Sequence, residues 1–529
     1  MNLSPPALKT DFASSVQRPV PYPAHLAAID MGSNSFRLEI ASLAGGRYKR
    51  IEYLKETVRL GAGLDENGHL TDEATRRALA CLEKFAQRLQ GYAPWQVRAV
   101  ATQTLREARN RDAFLARGRS VLGYPIEVIS GREEARLIFA GVARLQPSEL
   151  PRLVIDIGGR STEMILGRGR VPVTAESFQI GSVSLSMKYF GDGRFTREAF
   201  QAAQVEAGAQ LEEALEPFAP EHWREALGSS GTAGAVSQIL AASNVTDGEI
   251  TPEGLRWCIE QCLAAGTIDK LDLPGLRDDR RAVIGGGVSI LYTLATHFGI
   301  VSLRPARGAL RQGVIFDLHE RLHALEAGHA AIDVRERSVR ALQSRFQVDQ
   351  KQAARVSEAA AQLYASIAPR AMRPSRQQQP QERLEDRARE LRWAAQLHEM
   401  GMLVSHHDHH RHSAYLLAHV DAPGFSQSQQ RRLAELLLGQ RGGLRKLEAA
   451  LADTDYASQV MCLRLAIVFC HARGAVDMNK VRLKLASQKA TLELPPRWAA
   501  SHPRTMHLLE EEAAAWERSG SLRLALKAA

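Results

Sequence analysis

The feature that most restricts what this chain can fold into is an internal repeat. Segment 28–40, AIDMGSNSFRLEI, aligns with segment 154–166, VIDIGGRSTEMIL, so that Asp30 matches Asp156, Gly32 matches Gly158 and Ser35 matches Ser161. Each copy reads as a strand, a tight Asp-x-Gly turn and a returning strand. Glycine permits such a turn and lets backbone N–H groups approach a phosphate with no Cβ in the way. An aspartate at the strand end can hold Mg²⁺, directly or through water. One such hairpin is usually only a turn. Two aligned copies predict two lobes whose hairpins face each other across a cleft.

The texture around the repeat fits this. Up to about residue 325, short apolar strand-like runs (27–30, 36–42, 97–100, 125–130, 153–156) alternate with helical stretches (74–89, 112–117, 133–145), the pattern of an α/β domain. From about Asp333 the chain turns to Ala, Leu, Gln and Arg at helical spacing. Helices are expected over 338–346, 350–365 and 383–398, with a Pro/Gln/Arg-rich loop over 368–381. Residues 481–494 alternate apolar and polar, as strands do, before a last helix over 505–517. At 529 residues several domains are expected. The division read here is a tail (1–22), two α/β lobes (23–145 and 146–325), a helical domain (326–475) and a small α+β domain (476–529).

The net charge is +9, and all of it falls late in the chain: residues 331–529 hold 30 Lys and Arg against 21 Asp and Glu, whereas 1–330 hold 38 of each. A basic part beside a neutral one points either to a polyanion partner or to a solvated arginine-rich surface. Five cysteines without paired spacing exclude a disulfide framework and suit a reducing compartment. The N-terminus lacks the apolar stretch of a signal peptide, and no apolar run is long enough to span a membrane.

Further motifs carry chemistry. Segments 228–234, GSSGTAG, and 284–287, IGGG, read as glycine-rich turns able to bring N–H groups and a helix N-terminus to an anion. Between the hairpins lie 101–106, ATQTLR, and 129–139, ISGREEARLIF. The second puts Glu133 and Glu134 in the first turn of a helix, where adjacent side chains point in different directions, so at most one faces the cleft.

Taken in order, DMGSNSFRL, ATQTLREA, ISGREEARLIF, VIDIGGRSTE, GSSGTAGA and the later LRWAAQLHEMG, HSAYLL and DAPGFS closely resemble the exopolyphosphatase and guanosine pentaphosphate phosphohydrolase family. The resemblance implies an α/β two-lobed actin-like (ribonuclease-H-like) ATPase fold. An all-α HD-related domain and a small C-terminal α+β domain follow it. It also implies Mg²⁺-dependent hydrolysis of a terminal phosphoanhydride, with a monovalent cation such as K⁺ as an optional second ion. Carried over, Glu133 is the carboxylate that activates water, and Asp156 and Glu163 lie at the metal. The phosphate-binding set is Asp30, Gly32, Ser33, Asn34, Ser35, Arg106, Gly158, Gly159, Arg160, Ser161, Thr162, Gly231 and Thr232. Such a set has a physical logic: a polyanion repels hydroxide, so the site needs cations and N–H donors plus one carboxylate aimed at water.

Three positions depart from the family's usual pattern. Arg160 stands where a third glycine is usual, and Arg307 and Gln312 replace two acidic residues. In the helical part, His398-Glu399 replaces a His-Asp pair and no histidine precedes it after His329. A degenerate HD domain with a binding role is expected, not a second metal centre. The substrate expected is inorganic polyphosphate, with pppGpp as the alternative and a non-catalytic nucleotide sensor as the reading from another class. The basic C-terminal part favours the long uniform polyanion. A homodimer in the cytoplasm is implied, with no nucleic acid partner and with peripheral membrane contact left open.

Overall fold

The computed structural model describes residues 25–44, 47–326, 333–371, 380–474 and 476–528. The tail at 1–22 and the middle of the 368–381 loop lie outside these residues.

The repeat extends well beyond the hairpins. In the first lobe, β1 (Leu26–Met31), β2 (Ser35–Ala44), β3 (Arg47–Thr57), β4 (Val97–Ala101) and β5 (Ile126–Val128) form a sheet of order β3-β2-β1-β4-β5. In the second, β6 (Arg152–Ile157), β7 (Thr162–Arg168), β8 (Val171–Phe178), β9 (Glu225–Ser229) and β10 (Arg304–Pro305) form β8-β7-β6-β9-β10. The first three strands of each set pair antiparallel and the last two join in parallel. Even the register shift recurs, at Ile40/Ala41 and at Leu166/Gly167, which are matched positions of the repeat. The central strands β1 and β6 are buried along their whole length, as near-continuous apolar runs covered on both faces must be.

Four helices of the first lobe matter below: α1 (Asp72–Arg88), α2 (Gln103–Glu107), α3 (Arg111–Leu122) and α4 (Gly131–Leu145). The helix α4 starts at Ser130, whose side chain accepts from the Glu133 N–H at 3.2 Å, an N-cap written in the sequence as Ser-Gly-Arg-Glu. It belongs by sequence to the first lobe but packs on β7 and β8 of the second. The Leu310–Glu326 helix, at the end of the second lobe, packs on β1 and β2 of the first. The two helices lie against each other and share one apolar cluster with residues of both sheets, including Val100, Ile138, Ile165 and Val314. The division at 145/146 is therefore a sequence boundary, not a packing one.

The helical part and the C-terminal sheet (β11 Arg482–Ala486, β12 Lys489–Leu494, β13 Arg523–Ala528) share a single core: Leu485, Leu492 and Trp516 lie in one cluster with Leu363, Ala394 and Met461. A buried pair, Arg464 with Glu512 (Nη2 to Oε2, 2.7 Å), crosses between the last long helices. Among the described residues no helix is long and apolar enough to cross a membrane.

Glycines set how closely α4 meets the Leu310–Glu326 helix. A Cβ at Gly313 would run into the Leu137 carbonyl, and one at Gly141 would stand 2.8 Å from the Gly313 nitrogen. Gly313→Ala is expected to cost about 1–3 kcal/mol through forced separation of the helices. A lowered thermal midpoint checks this; an unchanged one would show that the helices can part freely.

Candidate functional site

The two hairpins meet in a cavity of about 400 Å³ lined by Asp30, Gly32–Ser35, Asp156, Gly158, Gly159, Ser161, Gly231 and Glu134. Their tips nearly touch: a Cβ at Gly159 would lie 3.1 Å from Ser33 Cβ. Ser33 is braced by the Thr104 hydroxyl, which donates to its Oγ at 2.8 Å, and its carbonyl accepts from the Gly61 N–H at 2.8 Å. Asn34 Nδ2 and Ser35 Oγ are buried without a hydrogen-bond partner in the protein. Unsatisfied buried donors are costly, so these two suit an anion between the hairpins.

The largest correction concerns the catalytic carboxylate. Glu133, expected in the cleft, is 1% exposed and faces away from it. Its oxygens accept from Arg136 Nε (2.7 Å) and Nη2 (2.9 Å), and Oε2 also accepts from the Gly424 N–H of the helical part at 2.9 Å. Arg98 and Arg136 link it onward to Asp317. Glu134 lines the cavity instead. Successive helix positions lie about 100° apart, so only one of the two can face the cleft.

Burial pushes the Glu134 carboxyl up to about 7. Arg106 works against this, while Asp156 and Asp30 add to it. Asp156 is raised to about 6, chiefly by burial, and hydrogen bonds from Ser229 and Ser230 oppose the rise. Glu163 is raised well above the ordinary range by burial and by Glu134 and Asp156. It sits directly across from Asp156 in the β6–β7 ladder. In the first lobe the matched pair is Asp30 and Arg37, an ion pair of 3.1 Å, with Arg311 also 3.4 Å from Asp30. The repeat thus neutralises its first aspartate and leaves the second beside another acid.

Other expected contacts are redistributed. Arg106 points at Glu134 (Nη1 to Oε2, 2.8 Å) and at Gln103, not into the cavity. Arg160 leaves its hairpin for Glu107 (Nε to Oε2, 2.9 Å) and the Gly61 carbonyl (3.2 Å). The Thr162 and Thr232 hydroxyls donate to the carbonyls of Ile180 and Ile157 and serve the loops. The 284–287 glycines lie inside the Ile284–His297 helix, where a Cβ at Gly286 would stand 2.6 Å from Ser186 Oγ, so they serve helix packing and are not an anion loop. Gln312 is matched by fully buried Glu39, which accepts from its amide at 2.8 Å. An acid at 312 would put two carboxylates together. His398 is buried with Nδ1 2.7 Å from the Ala395 carbonyl, and burial pushes it down to about 4.

Sequence reasoning missed most of the cations. Arg37, Arg50, Lys55, Arg277, Arg280, Arg307 and Arg311 line the cavity against the carboxylates of Asp30, Glu134 and Asp156. Arg37 was legible as the repeat partner of Glu163. Arg277 and Arg280 sit in the charged run 277–281, RDDRR, which in sequence looks like any solvated face. Arg280 lies over Gly231, where a Cβ would collide with its guanidinium; burial and Arg37 lower its pKa.

Among the described residues no three acidic, imidazole or thiol side chains converge as a ready-made metal cage. Mg²⁺ needs none, since it keeps several waters and takes one or two carboxylates plus substrate phosphates. Asp156 lines the cavity as a hard oxygen donor, and Glu163, whose Oε1 accepts from the Ser177 hydroxyl at 2.8 Å, lies buried behind it; the two carboxyls fit such an ion once they are deprotonated.

A duplicated two-lobed α/β fold with facing Asp-x-Gly hairpins and a basic cleft defines an actin-like phosphate-handling protein. A model of the Ppx/GppA phosphatase family matches residues 40–322, and one for domain III of the same family matches 334–513. The chain belongs to that family and is a phosphoanhydride hydrolase. Among solved structures, an exopolyphosphatase-like protein is 26% identical, with a TM-score of 0.51 over 57% of this chain and 99% of its own. An exopolyphosphatase from Cytophaga hutchinsonii is 24% identical, with a TM-score of 0.51 over 57% of this chain and 98% of its own, and shares the fold.

The raised carboxyls give a pH test. Their folded-state pKa values lie above the unfolded ones, so the stability they contribute is complete below about 4 and is lost as pH rises from there through about 6 to 7. Without divalent cation the thermal midpoint should fall over that window, and Mg²⁺ should raise it clearly at pH 8 but little at pH 5. Glu163→Gln should raise the cation-free midpoint at pH 8 and shrink the Mg²⁺ effect. Equal Mg²⁺ effects at both pH values would remove these residues from the metal.

Proposed function

We propose that the chain is an exopolyphosphatase that removes the terminal phosphate of inorganic polyphosphate in a Mg²⁺-dependent reaction, with Glu134 as the base. The observation that carries this reading is the Glu134 carboxyl, raised to about 7 and held by Arg106, at a cavity where basic side chains outnumber the acids Asp30, Glu134 and Asp156. Arg106 occupies Glu134 Oε2, which leaves Oε1 to take the proton of a water attacking the terminal phosphorus. The hairpin N–H groups, Asn34 Nδ2 and Ser35 Oγ hold the non-bridging oxygens, and Arg37, Arg280 and Arg307 hold the phosphates behind them. Asp156 and Glu163 would hold Mg²⁺, which when bound offsets charge on the phosphate oxygens. The helical part is assigned a binding role.

Polyphosphate is favoured over pppGpp by the wall itself. Among the described residues Tyr53 is the aromatic side chain lining the cavity, and Arg311 and Arg50 already lie 5.2 and 5.6 Å from its ring centre. The one ring that lines the wall among the described residues is thus already engaged by arginine.

Glu134→Gln is expected to lose at least ~10²-fold in kcat with binding retained. Glu133→Gln should keep turnover within about 10-fold and lower the thermal midpoint, because it uncouples a buried charge network. The reverse pattern would return the role to Glu133. Phosphate release from long polyphosphate and from pppGpp, measured side by side with Mg²⁺, should favour polyphosphate, with a KM for long chains that rises steeply with salt. Preference for pppGpp would overturn the substrate assignment.

A further inference from the structure

Arg160 is the residue that most departs from the family's glycine-rich hairpin, and its side chain does not line the cavity. It crosses from the second lobe to the first and places Nε and Nη2 on one oxygen of Glu107, at 2.9 and 2.8 Å. The other Glu107 oxygen accepts from the Gln103 amide nitrogen at 2.6 Å. That bond fixes which way the amide points, so Gln103 Oε1 faces Arg106 and accepts from Nε (2.8 Å) and Nη2 (2.6 Å). The remaining arm of Arg106, Nη1, donates to Glu134 Oε2 at 2.8 Å and to the Ile129 carbonyl at 3.0 Å.

We propose that Arg160 is a positioning residue: through Glu107, Gln103 and Arg106 it sets the carboxylate of Glu134 from the opposite lobe. The inference rests on the reading of Glu134 as the base. Every link uses an atom left free by the one before, and the polarity alternates cation, anion, amide, cation, anion. The relay runs along α2, with Gln103 one turn from Glu107, so short-range geometry holds its middle. Its outer end depends on the two lobes keeping their relation. The Arg160 side chain fits there because Gly61 makes room: a Cβ at Gly61 would lie 2.8 Å from Arg160 Cδ. With glycine at 160, Glu107, whose side chain is 28% exposed, would lose its cation and the Gln103 amide its fixed sense.

The test uses the full-length protein with short polyphosphate and Mg²⁺. Arg160→Gly is expected to lower kcat about 10- to 100-fold, the scale of a misplaced catalytic group, with KM within about twofold. Glu107→Gln should give a similar loss, Arg160→Lys a partial recovery, and the Arg160→Gly/Glu107→Gln pair no more than either alone. A rise in KM at unchanged kcat would make Arg160 a phosphate contact, and multiplying losses in the double variant would break the relay; either overturns the proposal. So would a lowered thermal midpoint with wild-type kcat measured well below it. Full turnover in Glu134→Gln would instead overturn the reading of Glu134, while non-additivity between 160 and 107 still reports on the link across the lobes.

Discussion

The structure depends on the first turn of α4, where two consecutive carboxylates are sent to opposite duties. Glu133 goes under the helix into a cluster with Arg98, Arg136 and Asp317, and reaches the Gly424 N–H of the helical part. Arg321 returns from the Leu310–Glu326 helix to the Gly424 carbonyl at 2.9 Å. Buried charges of this kind are costly to remove singly. The cluster therefore fixes how α4 and its partner helix lie and where the helical part docks. Glu134 inherits its place in the cleft from that arrangement.

The second organising fact is a duplication that keeps its geometry and changes its chemistry. Both lobes have the same strand order, the same turn and the same register shift. At the position facing the hairpin aspartate, however, one lobe has Arg37 and the other Glu163. The first lobe thereby neutralises its hairpin aspartate, whereas the second sets two acids side by side.

Charge explains why the overall balance was a poor guide to the cleft. Residues 1–330 are neutral in sum, yet among the described residues they supply all seven basic side chains that line the cavity. Acids of the same segment are spent in pairs elsewhere, such as Asp317 with Arg98 and Glu176 with Arg132. Totals by segment average over such sorting.

What the sequence by itself determined was whatever is written locally. The paired Asp-x-Gly hairpins, the Ser130 cap that starts α4, the α/β alternation and the shift to helices after Asp333 all depend on neighbours a few residues away, and they located the site. The family resemblance added the type of chemistry. Only the tertiary structure decided which of two adjacent glutamates enters the cleft, because that depends on guanidinium groups from β4, α4 and the Leu310–Glu326 helix converging under one face. It also decided that Arg160 faces Glu107, that Gln312 answers Glu39, and that Arg277 and Arg280 line a wall. Arg160 with Glu107 and Gln312 with Glu39 are far apart in the chain, and no periodicity or spacing encodes contacts set by how two lobes close on each other.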